Sequence, residues 1–166
     1  MLAKILENLR RQQSRFSFGS TAAIITSLAL MVGLDTETNA KISIIGGILV
    51  IGLADNIADS FGVHLFYQES ERIAPREIIV STIFNFIVRI IVSLIFVLLI
   101  WLLPLRIAIL SSIVWGFALL SLTSYMAAKS RGGRPLLAIL LHLLIASIVI
   151  LLSQLVGDLL IGRFNI

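Results

Sequence analysis

Apolar residues run in long stretches along the chain, and polar residues interrupt them at nearly regular intervals. A bilayer core about 30 Å thick asks for ~20 mostly apolar residues per helix. Five stretches meet or approach that length: 18–34, 42–67, 78–103, 105–128 and 135–161. Pro104 alone separates the third from the fourth, which predicts a sharp break and an antiparallel return. Residues 1–17 follow a different pattern. Leu2, Ile5, Leu6 and Leu9 recur at i, i+3, i+4 and i+7, with Lys4, Arg10, Arg11 and Arg15 among or after them. An apolar stripe in a basic surround predicts an amphipathic helix lying on the cytoplasmic face of a membrane. The expected fold is therefore all-α and polytopic, with an interfacial helix at 1–17 and a five-helix transmembrane domain over 18–166. No second domain, low-complexity tract or internal repeat is visible.

Composition supports the membrane. Of 166 residues, 58% are hydrophobic and 13% charged, with a mean hydropathy of +1.07. A soluble domain carries about 25% charged residues, so this chain has too little polar surface to cover a soluble particle. The absence of cysteine removes disulfides, thiolate metal sites and thiol catalysis. A pI near 10.1 would suit nucleic acid. The cations sit at the ends of the apolar runs, however, where they orient a membrane protein, and nucleic acid is not expected as a partner. The polar stretch from Lys4 to Arg15 is longer than the basic head of a secretory signal, and further apolar runs follow it.

Lys and Arg set the orientation. With the N-terminus in the cytoplasm, Lys4, Arg10, Arg11, Arg15, Arg72, Arg76, Lys129, Arg131 and Arg134 lie inside. Lys41, Arg106 and Arg163 lie outside, and Arg89 is left within a span. Five spans then place the C-terminus outside, and a prokaryotic plasma membrane is the expected location.

Function in such a protein is read from the polar groups within its spans, because a charge there costs ~2.5–3.5 kcal/mol on insertion scales. The second span is the outlier. Asp55 and Asp59 stand at i and i+4 on one helix face. Gly62 and Phe66 continue that face, and Glu69 follows it towards the cytoplasm, with Glu71 and Glu77 beyond. A line of carboxylates suits hard divalent cations or protons, and Asn56 and Ser60 on the adjoining face could complete an oxygen shell. His64 projects away from the acids. A structural reading stands beside this one: Asp55 or Asp59 pairs with Arg89 of the third span, one turn from Asn85, and two acids against one base leave one carboxylate over. Ala54, Ala58 and Gly62 form a small-xxx-small series that permits close helix contact. It marks the second helix as the central one, packed in the bundle or across a dimer axis. In the fifth span His142 and Asp158 lie near opposite ends; Asp158, with Gln154 one turn away, reads as an exit-side polar site or, more simply, as interfacial solvation. Trp101 reads as belt, Trp115 as internal packing, and Thr123, Ser124 and Tyr125 as helix contacts. Metalloprotease and phosphate-loop motifs are missing, the serines lack a nucleophile elbow, and local spacing suggests no His/Ser pair. The chain is not expected to be an enzyme.

The order of elements resembles the vacuolar iron transporter family, which includes nodulin-like membrane proteins. Phe18-Gly19-Ser20-Thr21-Ala22-Ala23 through Val32-Gly33 is similar to that family's opening helix. Gly46-Gly47 and the ending Tyr67-Gln68-Glu69-Ser70-Glu71-Arg72 are similar to its second helix. The likeness covers most of the chain. Three departures accompany it. Ser20-Thr21-Ala22 stands where the family carries an Asp-Gly pair, the family's Ser-Met and Gly-Glu pairs have no clear counterpart between Asp55 and His64, and the Glu-rich cytoplasmic domain is missing from the loop at 68–77. The resemblance implies a homodimer and a divalent cargo, Fe²⁺ or Mn²⁺, without a permanently bound cofactor. The expected function is a transporter of divalent metal, with protons as the candidate coupling ion, acting through Asp55 and Asp59, with Glu69 and Glu71 gathering cations at the inner mouth. The competing expectation is a non-transporting membrane scaffold in which the acids are partners of Arg89.

Overall fold

The computed structural model describes residues 19–35, 40–68 and 75–164. They form five helices: α1 (Gly19–Gly33), α2 (Ala40–Gln68), α3 (Pro75–Leu102), α4 (Leu105–Ser130) and α5 (Pro135–Phe164). Helices α2 to α5 are each long and apolar enough to cross a membrane. The described part of α1 is shorter, about 22 Å at 1.5 Å per residue. The predicted interfacial helix at 1–17 lies outside the described residues.

Local chemistry sets the helix ends. Pro104 has no N–H to continue the α3 ladder, and its backbone is extended at φ −56 and ψ 141. The chain turns there, and Ala108 N at once donates to Pro104 O at 2.9 Å to start α4. Lys41, in the first turn of α2, donates to Leu103 O at 3.1 Å, placing a cation on the carbonyl end of α3. Helix α4 stops at Gly132, whose φ of +68 is left-handed. Gly132 N bonds Lys129 O at 3.2 Å and Gly133 N bonds Ala128 O at 2.9 Å, which together form a Schellman turn.

Packing is organised around α1. Ala23, Ile24, Leu28 and Met31 of α1 form one buried cluster with Ile44 and Ile48 of α2, Phe96 and Ile100 of α3, and Ala108 of α4. Leu28 also lies against Gly116 of α4, and Gly33 packs its backbone on Gly157 of α5. A methyl group at Gly157 would collide with the Gly33 carbonyl oxygen, so these two helices touch main chain to main chain. The central helix is therefore α1, and α2 is not surrounded as the small-residue series had suggested. Ala54, Ala58 and Gly62 face outwards, and nothing lies within 4 Å of a Cβ built on Gly62. Small residues on α1 let its neighbours approach closely: Gly19, Ser20, Ala23 and Ser27 are all buried.

The outer surface is a mantle of exposed Leu, Ile, Val and Phe from α2 to α5. An apolar surface of that extent suits lipid and would associate in water.

Candidate functional site

The largest side chain that is fully buried is charged: Arg89 of α3, at 0% exposure. Such a group needs partners, because an unpaired buried charge costs several kcal/mol. Helix α2 supplies three. Arg89 Nε donates to Asn56 Oδ1 at 2.7 Å and Nη2 donates to Asp55 Oδ2 at 2.7 Å. Nη1 lies 2.6 Å from Asp59 Oδ2, but this approach is not along an N–H bond, so Nη1 has a charge partner without an aligned hydrogen bond. One guanidinium thus holds both acids, and neither is left over as the sequence had suggested.

The cluster belongs to a longer seam. Ser81, Asn85, Arg89 and Ser93 recur every fourth residue on α3, and all four are buried. Gly52, Asn56, Ser60 and His64 recur every fourth residue on α2. Antiparallel packing brings the two rows together layer by layer, with Thr82, next to Ser81, taking the last place. Ser93 Oγ faces Gly52, Arg89 meets Asn56, Asn85 Nδ2 donates to Ser60 Oγ at 3.3 Å, and His64 Nδ1 lies 3.5 Å from Thr82 Oγ1. Twelve residues of α2 separate the first layer from the last, about 18 Å of helix. Helix α1 closes one side of the seam. Thr26 Oγ1 donates to Asp55 Oδ2 at 3.4 Å, and a Cβ at Gly19 would lie 2.6 Å from Asn85 Oδ1. That Asn85 oxygen is buried without a hydrogen-bond partner.

Asp55 and Asp59 are not enclosed. Their side chains keep 38% and 37% of their surface accessible, against 0% for Arg89. The guanidinium faces the bundle and the carboxylates lie on its flank.

The remaining predicted positions are scattered. His64 stacks on Phe61 with ring centroids 6.4 Å apart and does not join the acids. Asp158 is exposed on α5, far along the chain from the seam. Glu69 and Glu71 lie outside the described residues, and Glu77 falls in the first turn of α3. Among the described residues no group of three or more His, Cys, Asp or Glu comes together to hold a metal.

His142 has a partner that local spacing did not suggest: its Nδ1 is 2.8 Å from Ser124 Oγ of α4. Ser124 also bonds its own backbone at Leu120 O, 2.5 Å away. The Ser124 hydroxyl thus sits between its own helix backbone and His142 of α5, and ties the two helices together. Trp115, expected inside, is 42% exposed on the outer surface of α4, and Tyr125 is exposed as well. The contributions of Thr26, Ser81, Thr82 and Ser93 were also missed. The signal that would have found most of the seam is the matching four-residue repeat of small and polar residues on α2 and α3.

No protein-family model matches the chain, and no curated protein or solved structure matches it. The likeness to the vacuolar iron transporter family rests on its sequence motifs alone.

Proposed function

We propose that the chain is a five-span integral membrane protein that moves cations, with Asp55, Asp59 and Arg89 as its proton- and cation-binding cluster. The N-terminus is cytoplasmic and the C-terminus outside, from the distribution of Lys and Arg. The observation that carries the reading is that two carboxylates contact one buried guanidinium. A lock between two helices needs one acid for one base. The second acid leaves the ionised cluster one negative charge in excess, at a depth where such charge is costly. Uptake of a cation relieves that cost. The flank of both acids is open to receive it, and polar layers of the seam continue about 12 Å from the cluster towards the inner end of α2 and α3.

A proton suits this cluster best, because it needs one carboxylate oxygen and leaves Arg89 on the other acid. A divalent ion needs more oxygens, from Asn56, Ser60 and Thr26, and must displace the guanidinium. Fe²⁺ or Mn²⁺ is the cargo implied by the family resemblance, with the proton as its counter-ion. The exposed Ala54, Ala58 and Gly62 permit the close approach of a second copy, in keeping with a homodimer.

A second reading, a non-transporting assembly protein, is favoured by the complete burial of Arg89 and its three-way hold on α2. Proteoliposomes of the full chain separate the two, with internal pH and Mn²⁺ uptake followed together. Transport predicts coupled fluxes that fall at least tenfold in Asp59→Asn and Asp55→Asn while both variants remain folded. Wild-type fluxes in both variants would remove these acids from the mechanism. Absence of flux in the wild type would leave the assembly reading.

A further inference from the structure

A second feature lies at the other hairpin and is independent of the seam. The turn between α4 and α5 carries Lys129, Arg131 and Arg134 within six residues, all exposed. The Schellman turn holds their backbones in a compact loop, and Gly132 and Gly133 add no side chain between them. No described carboxylate pairs with any of the three. Lys129 instead folds back on its own helix, with Nζ 3.4 Å from Tyr125 Oη and 5.5 Å from the centre of that ring.

Below this cationic turn, Trp115, Ala118, Leu122, Tyr125 and Lys129 succeed one another at intervals of three and four, and all five are exposed. They form one continuous stripe on the outer face of α4, about 21 Å long. Its chemistry is graded: hydrocarbon from Trp115 to Leu122, a phenol at Tyr125, then charge. Ala118 is a notch between two large side chains. This is the order of groups along one phospholipid, from acyl chain through the interface to the phosphate.

We propose that this stripe and the α4–α5 turn bind an anionic phospholipid. Its phosphate sits among Lys129, Arg131 and Arg134, and an acyl chain lies along α4 over Ala118. Three cations without a carboxylate partner among the described residues select an anionic headgroup over a zwitterionic one, each Lys or Arg near the surface multiplying affinity on the order of fivefold. The three cations also distinguish a lipid from a second copy as the occupant. A second copy would bring the same cations to the same end and repel.

The test uses the purified full chain in a neutral detergent, with Tm followed by tryptophan fluorescence. Phosphatidylglycerol is expected to raise Tm by several degrees more than phosphatidylcholine, because a ligand of the folded state stabilises it. Arg131→Gln with Arg134→Gln is expected to lower the apparent affinity for phosphatidylglycerol roughly thirtyfold, and Lys129→Gln alone about fivefold. Arg106→Gln, an exposed cation at the opposite end, leaves it unchanged. The substituted side chains are exposed, so the lipid-free Tm of each variant should match the wild type. Four results would overturn the proposal: equal shifts with the two lipids, an undiminished shift in the double variant, the same shift from inorganic phosphate, or a shift that follows protein concentration instead of lipid.

Discussion

The two long hairpins, α2–α3 and α4–α5, have similar lengths and similarly apolar exteriors, but they are held together by opposite means. Between α2 and α3 lies a ladder of buried and half-buried polar groups that includes a guanidinium and two carboxylates. In the half of α4–α5 nearest its turn the described side-chain link between the helices is one hydrogen bond, between Ser124 and His142. Hydrocarbon can be repacked at modest cost, whereas a buried ion cluster stripped of all its opposite charge is strongly destabilised. The first hairpin is therefore specified by its ion cluster, and the second by shape and by its contact with α1.

The largest expected effect is on the first hairpin. Arg89→Leu leaves Asp55 and Asp59 without their cation and should destabilise the protein by about 3–5 kcal/mol, seen as a fall in Tm or as loss of the folded species from detergent. Adding Asp55→Asn and Asp59→Asn to the same chain should recover much of that loss. A single Arg89→Leu variant that melts like the wild type would erase the contrast between the hairpins.

An intermediate effect is expected where α5 meets the central helix. Gly157→Ala places a methyl on the Gly33 carbonyl and must push α5 off α1, at a cost of about 1–3 kcal/mol in the same melting assay. The smallest effect belongs to the polar link of the second hairpin. Ser124→Ala should cost about 1 kcal/mol, the typical worth of one hydrogen bond. A loss as large as that of Arg89→Leu would show that α4–α5 depends on its polar pair as much as α2–α3 does.

How far the sequence could be read depends on the range of the interaction involved. The helix limits were legible to within a few residues. Predicted stretches at 42–67, 78–103, 105–128 and 135–161 correspond to helices Ala40–Gln68, Pro75–Leu102, Leu105–Ser130 and Pro135–Phe164. Their ends are set by neighbours in sequence: a proline at 104 and glycines at 132 and 133. The acids, Asn56 and Arg89 could also be singled out, because a charge in an apolar run is conspicuous wherever it lies.

Apart from the polar repeat on α2 and α3, which faces meet was not legible. Helices α2 to α5 are nearly as apolar on one side as on the other, so periodicity gives no strong direction to turn inwards. Trp115 was assigned to the inside on depth alone and lies outside, while Ser124 found His142 through a rotation that neither helix encodes by itself. The sequence by itself determined that the chain is helical, where each helix stops, and which groups are too polar for an apolar core. The tertiary structure alone decided that α1 lies at the centre, that one arginine serves both aspartates, and that the polar rows of α2 and α3 register layer on layer. Those outcomes depend on the relative rotation and height of helices distant in sequence, and many side-chain contacts acting together set both.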